Sequence, residues 1–220
     1  LAQATGALLI VAFDPIAAAV LKSPGEWGAD VAVGEGQPFG TPMSFGGPYL
    51  GLFAAKLGHV RRIPGRLVGE TVDPEGRREF TTTLRTRAAD IRREKASSNV
   101  CTNQTLIAVT AMIQMGWLGK AGLVDVATQC ARGTRYAREA LLGLDGVMPL
   151  VEAPVLREFA VATPVAPTVL VERLADEGFL AGTPTDDGNG NEGLLIAVTE
   201  KRTKAEIDAF VAAFGKAVQS

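Results

Sequence analysis

The chain has 220 residues, 47% of them apolar, and a net charge of −2. That is room for one large domain or two small ones with a real core, and too little charge for a surface that binds nucleic acid or membrane at large. Two cysteines, Cys101 and Cys130, and a single histidine, His59, make neither a disulfide framework nor a metal-ligand set.

Residues 7–13 (ALLIVAF) are apolar without alternation, which predicts a strand buried on both faces in a parallel sheet. Asp14-Pro15 ends it. An Ala-rich stretch at 16–22 predicts a short helix closed by Ser23-Pro24-Gly25. A second strand at 30–33 runs into a Gly- and Pro-rich loop at 34–48, and a third strand spans 49–55. Residues 66–84 predict a hairpin around Asp73-Pro74-Glu75-Gly76, whose Asp, Pro and Gly stand where a type I turn prefers them. A helix is expected from Thr102 or Asn103, with Leu106, Val109, Ile113 and Trp117 at helical spacing. Gly119 and Gly122 are expected to interrupt it before a second helix at 123–142. The last third predicts a strand at 158–162, a helix from Pro167 to about Glu177, and a strand at 194–199. Thr203 and Glu206 then form a capping box for a terminal helix that buries Ile207, Phe210, Val211, Phe214 and Val218. A boundary near Gly119 separates two units. No apolar run reaches the roughly eighteen residues of a membrane span. No signal peptide is visible, so a cytoplasmic location is expected. The opening Leu1, followed at once by a strand, suggests that an amino-terminal part of a longer protein is missing.

Few motifs carry chemistry. Gly34-Glu35-Gly36 starts like a dinucleotide fingerprint, but Phe39 occupies the third glycine position and no helix follows, so a plain loop is expected. His59, in KLGHVRR, has no nucleophile motif near it. Ser44-Phe45-Gly46-Gly47-Pro48-Tyr49 reads either as a close backbone approach to a ligand or neighbouring chain, or as a tight turn into the third strand. Arg92, Arg93 and Lys95 feed into Ser97-Ser98-Asn99 and a helix start, which is either an anion pocket or a solvated face with a cap. Residues 56–95 hold eleven of the 22 Lys and Arg against six acids, a local +5 within a chain of net −2.

The strings GEGQPFGTPMSFGGPYLGLFAAK, RRIPGRLVGETVD, IRREKASSNVCTNQ and AVTEKRT occur in this order. They closely resemble the first, alpha-type subunits of two-subunit glycine dehydrogenases (decarboxylating), the P-proteins of the glycine cleavage system. The resemblance runs from about Gly6 to the end. It implies a full subunit of about twice this length and the fold type I of pyridoxal phosphate-dependent transferases. Residues 1–118 would be the later part of the large domain, and 119–220 the α/β carboxy-terminal small domain. The same resemblance places the Schiff-base lysine on a beta-type partner subunit. Here that position falls on Gln37 or Pro38, depending on the direction of counting, and no lysine lies between Lys22 and Lys56. A side chain without an amine cannot form the internal aldimine. Pyridoxal 5′-phosphate is therefore expected on the partner, and the acid role that the family would give Asp14 is left without its lysine. The assembled enzyme would decarboxylate glycine and pass the aminomethyl group to the lipoyl arm of the H-protein. Fold type I sites lie at subunit interfaces, so Ser44, Phe45, Gly46, Gly47, Arg92, Arg93 and Asn103 are candidates for loops reaching that pocket. Two other readings are a complete aminotransferase-like enzyme, which lacks a lysine in place, and a stand-alone binding or regulatory module of the same fold.

Overall fold

The computed structural model describes residues 2–63, 67–83 and 104–219. These form two compact units, one of Leu1–Pro15 with Lys22–Trp117, the other of Ile16–Leu21 with Leu118–Ser220.

The first unit holds a three-stranded sheet. Strand β1 (Ile10–Phe13) runs parallel to β2 (Val31–Glu35), which pairs antiparallel with β3 (Gly51–Ala55). Asp30 pins the three together. Its carboxylate accepts the Leu9 N–H at 2.9 Å and pairs with Lys56 Nζ at 2.8 Å, at the far end of β3. That Lys56 bond and the Leu9 bond hold the Asp30 carboxyl below its ordinary range. The strand expected to be buried on both faces is shorter and more open. Leu8 and Ile10 are 54% and 60% exposed, because β1 is an edge strand with β2 as its one partner among the described residues. The Ala-rich stretch winds only a 3-10 turn at Ala17–Ala19.

A separate hairpin pairs β4 (Leu67–Val72) with β5 (Arg78–Thr83). Its turn closes as expected: Gly76 N–H donates to Asp73 O at 2.9 Å. The Asp73 side chain accepts from the N–H groups of Glu75 and Arg77 at 3.0 and 2.8 Å. Residues 66 and 84, the expected outer ends, lie outside the described residues.

Helix α1 spans Thr105–Leu142, and its expected starts, Thr102 and Asn103, also lie outside the described residues. Gly119 leaves helical geometry at φ 61° and ψ −177°. Gly122 does not interrupt the helix, which resumes directly. Over eighteen residues α1 reaches a mean hydropathy of 1.3, apolar enough to cross a membrane by length and composition. The stretch before the break is only about 21 Å long at 1.5 Å per residue, short of a ~30 Å hydrocarbon core.

The second unit is built on a four-stranded antiparallel sheet of β6 (Met148–Pro149), β7 (Glu158–Ala162), β8 (Thr183–Asp186) and β9 (Glu192–Ala197), in the order β6-β7-β9-β8. The sequence did not reveal β6 or β8. Two-residue β6 carries no periodicity, and β8 contains Pro184, which strands tolerate at edges. Helix α2 (Pro167–Asp176) begins on Pro and is followed by Gly178 at φ 88°. Helix α3 (Lys204–Gln219) is capped as expected: Thr203 N–H donates to Glu206 Oε2 at 2.7 Å, and Glu206 N–H to Thr203 Oγ1 at 3.3 Å. Leu141, Val161, Leu170, Leu174, Leu194 and Phe214 are fully buried. Ile207 and Val218 join this core, while Phe210 and Val211 are only half-buried against it. Gly193 lets β7 and β9 approach, since a Cβ there would stand 2.5 Å from Val161 O.

Candidate functional site

The connection from β2 to β3 carries both the position where the resemblance expects a lysine and the Gly-rich loop. Its neck is closed by Glu35, whose Oε1 accepts the N–H of Gln37 at 2.9 Å and of Leu50 at 2.7 Å, and by Gly36 N–H donating to Leu50 O at 2.7 Å. Glu35 was not singled out from the sequence. A carboxylate at the end of a strand carries no signal until the loop's return is known. Gly34 and Gly36 owe their identity to packing. A Cβ on Gly34 would stand 2.9 Å from Phe13 O, and one on Gly36 2.9 Å from Leu50 Cδ2.

Within the neck, Gln37 is used up by the turn itself. Its Nε2 donates to Thr41 O and its carbonyl accepts the Thr41 N–H at 3.2 Å. Pro38 follows, and Phe39 is buried at 7% exposure. Gly40 has φ 84°, and a Cβ on it would stand 3.1 Å from Gln114 Cβ and 3.3 Å from Thr110 Cγ2 of α1. Thr41 Oγ1 is buried without a partner. The turn itself contains no lysine. Lys56 spends its ammonium on Asp30 and on Gly28 O at 3.0 Å. Asp14 directly follows β1 and is half-buried.

Beyond the turn, Ser44, Phe45, Gly46 and Gly47 form a projecting bend. Phe45 has φ 53°, with Gly46 and Gly47 at 153° and 115°, and Ser44 Oγ donates to Gly47 O. A side chain held in the left-handed region costs roughly 1 kcal/mol or more. Met43 and Phe45 are 83% and 89% exposed, so this bend offers apolar surface to water. The other candidates, Arg92, Arg93 and Asn103, lie outside the described residues. Of the basic segment 56–95, Arg77 pairs with Asp73 and Glu75, and Arg78 pairs with Glu70 and stacks over the Phe80 ring at 4.9 Å. These two arginines serve their own hairpin.

The second unit offers polar clusters of a structural kind. Tyr136 OH donates to Asp208, whose carboxylate pairs with Lys204 at 2.6 Å. That ion pair lowers Asp208 and raises Lys204. Tyr136 and Asp208 line a hollow of about 480 Å³ with Ala140, Leu144 and Val211. Asp187 closes a surface turn by accepting from Asn191 Nδ2 at 2.7 Å and from the Asn189 N–H at 2.8 Å, which takes its carboxyl down to about 2. Cys130 is buried beside Glu200, and desolvation raises its thiol. Among the described residues no group of three or more His, Cys, Asp or Glu could hold a metal ion.

The family described as "Glycine cleavage system P-protein" matches residues 1–214. The chain is 48% identical over 212 residues to "Probable glycine dehydrogenase (decarboxylating) subunit 1" of Chlorobium limicola, covering 96% of this chain and 48% of that protein. It is 47% identical over 217 residues to the protein of the same name from Moorella thermoacetica, covering 97% and 48%. The chain thus spans about half the length of the relatives it matches. A solved glycine decarboxylase (P-protein) of the glycine cleavage system, in inhibitor-bound form, superposes with a TM-score of 0.88 at 41% identity, covering 98% of this chain and 49% of that one. The cysteine desulfurase CsdA of Escherichia coli shares the fold alone, with a TM-score of 0.67 at 17% identity, covering 99% of this chain and 53% of that one. The architecture is the mixed α/β fold type I that the resemblance implied.

Proposed function

Because the chain belongs to the glycine cleavage system P-protein family, we propose that it is the non-lysine-bearing part of a glycine dehydrogenase (decarboxylating). The assembled enzyme releases the carboxylate of glycine on pyridoxal phosphate and passes the aminomethyl group to the lipoyl arm of the H-protein. A beta-type, lysine-bearing subunit holds the cofactor in this reading, and the cytoplasm is where the assembly works. Residues 119–220 correspond to the family's small domain.

The single observation behind this assignment is the turn at Gln37. An aldimine needs a free amine, and this turn fills the place with an amide that is already bonded within the loop. The residues present do not fit a covalently held cofactor, so this chain contributes framework and contacts. The exposed bend at Ser44–Gly47 is the described segment best suited to meet a neighbouring pocket, because its apolar side chains have no cover of their own. Arg92, Arg93 and Asn103 remain candidates on their chemistry.

The test is co-purification with a lysine-bearing beta-type subunit, borohydride reduction and peptide mapping. The pyridoxyl label is expected on the partner alone. A label on Lys22 or Lys56 would overturn the assignment.

A further inference from the structure

The tip of the β8–β9 hairpin reads Asp186-Asp187-Gly188-Asn189-Gly190-Asn191-Glu192. It stands at the rim of the four-stranded sheet, where β8 is the outer strand, and Asn189, Gly190 and Asn191 are exposed. Two of these residues precede a glycine, and the fold treats them differently. Asp187 precedes Gly188, whose N–H is occupied by Asp186 Oδ1 at 2.8 Å. The Asp187 carboxyl is taken down to about 2 by the bonds it accepts from Asn191 Nδ2 and the Asn189 N–H, so it stays ionised and is a poor target for a nucleophile. Asn189 precedes Gly190, whose N–H meets no acceptor among the described residues. Gly190 has φ 93°, and open space lies where a Cβ would stand, so no side chain shields that nitrogen. The Asn189 side chain is tethered by a single Nδ2 contact of 3.5 Å to Asp187 Oδ2, longer than a good hydrogen bond. The other asparagines are placed differently. Asn191 gives its Nδ2 to Asp187 at 2.7 Å and precedes Glu192, the first residue of β9. Asn99 and Asn103, outside the described residues, precede Val100 and Gln104. Asn189 alone is followed by glycine.

We propose that Asn189 is a modification site, where the Gly190 amide drives spontaneous deamidation and converts the hairpin tip to aspartate and isoaspartate. Hydroxide removes the Gly190 N–H proton, and the nitrogen attacks Asn189 Cγ. The new N–Cγ bond closes a succinimide as the Cγ–Nδ2 bond breaks, and ammonia leaves with a proton taken from water. Water then opens the imide. Cleavage of the N–Cγ bond gives aspartate. Cleavage between the nitrogen and the main-chain carbonyl carbon gives isoaspartate, whose chain runs on through the side chain. The sum is amide plus water to carboxylate plus ammonium, with no oxidant or reductant. Glycine after the asparagine favours the ring, because it has the widest backbone freedom and no Cβ to clash. The product sets a new carboxylate beside Asp186, Asp187 and Glu192, so a donor to Asp187 is replaced by a like charge. The consequence stays at the tip, since the packed residues of this unit, Val161, Leu194 and Phe214 among them, are fully buried away from it.

The experiment incubates the 220-residue chain in heavy-oxygen water at neutral and mildly alkaline pH. Ammonia release is followed together with peptide mapping and methyl transfer from S-adenosylmethionine by an isoaspartyl methyltransferase. A labelled carboxyl oxygen and an isoaspartyl linkage are expected at residue 189, growing with first-order kinetics at a rate proportional to hydroxide, while Asp187 and Asn191 stay unchanged. A parallel sample in urea gives the reactivity of the same sequence without its fold. The folded rate should reach at least about a tenth of that value, a protection of no more than about 1.4 kcal/mol. Asn189→Gln should abolish most of the ammonia release, because the longer side chain closes its ring far less readily. Asn189→Asp, which carries the product's charge, should shift the isoelectric point toward acid and leave the melting temperature unchanged. Conversion at residue 189 in urea but not in the folded chain would overturn the proposal, since the turn would then shield the amide. So would a label that appears first at Asn99, Asn103 or Asn191, an isoaspartyl linkage at Asp187, or ammonia release that persists undiminished in Asn189→Gln.

Discussion

Phe214→Ala should take a large share of the stability from the second unit. Phe214 is fully buried in α3, and its ring meets Phe210 edge-on at 5.7 Å, which in turn meets Phe179 at 5.6 Å. Truncating such a side chain costs about 3 to 5 kcal/mol in transfer and cavity terms. Losing the ring pair lies at the upper end of that range. A domain of this size is stable by about 5 to 15 kcal/mol in all. Each kcal/mol moves the melting temperature of a 60–100-residue domain by about 4 to 8 °C, so a fall of at least about 12 °C is expected. Phe214→Leu, which keeps more of the volume, should lose about 1 to 2 kcal/mol. The assay is thermal unfolding followed by two signals. Far-UV circular dichroism sees the helices of both units. Tryptophan fluorescence sees the first unit, because Trp27 and Trp117 both belong to it. The dichroism transition should split or fall while the fluorescence transition stays in place. A fall of less than about 5 °C would mean that the cluster around Phe214 is not the core of this unit. A parallel fall of both signals would mean that the two units unfold as one.

Three further outcomes test individual contacts. Thr203→Ala removes the hydroxyl half of the α3 capping box and should lower stability by about 1 kcal/mol, with Ser in its place restoring most of it. Asp30 has its carboxyl lowered by Lys56 and the Leu9 N–H, so its contribution is complete above its unfolded pKa near 4 and disappears as pH falls through the lower folded value. In acid titrations followed by tryptophan fluorescence, Asp30→Asn should therefore be less stable than wild type at neutral pH, and the difference should shrink in acid. A constant difference across that range would show that the ion pair is not what Asp30 supplies. Gly193→Ala places a methyl 2.5 Å from Val161 O and should cost about 1 to 3 kcal/mol, whereas Gly116→Ala, with open space around it in α1, should stabilise the helix by up to about 1 kcal/mol.

What the sequence revealed followed the strength of local signals. The capping box at Thr203, the Pro167 start and the Asp73–Gly76 turn were legible because each is settled by a few neighbouring residues, and each stands as expected. The β7 strand was read to its end residues because its flanks are polar. Burial was not legible in β1, since ALLIVAF spells a covered strand and cannot say whether its cover is present in the same chain. The Leu106–Trp117 stripe poses the same problem, as periodicity identifies a face without identifying what meets it. Gly122 was taken for a break because glycine is a poor helix former, yet it packs with its α-carbon side close to Leu118 Cβ, where a side chain would stand at 3.1 Å. At the candidate site the missing amine was visible by inspection, while the bonds that close the turn without it were not. The Glu35 and Gln37 side chains act there on backbone groups of Leu50 and Thr41, fifteen and four residues away, and no motif encodes such partnerships.

The β4–β5 hairpin bonds to itself and to no other strand among the described residues, and every residue of β5 is exposed. Two strands with no third beside them are marginally stable in water. Opening this ribbon therefore breaks its own ladder and little else, and can proceed while both cores remain folded. Its amide protons should exchange with solvent through that local event, at a free energy well below that of global unfolding. Denaturant should accelerate their exchange only weakly, because a ribbon already open to water on most of its surface exposes little more when it separates.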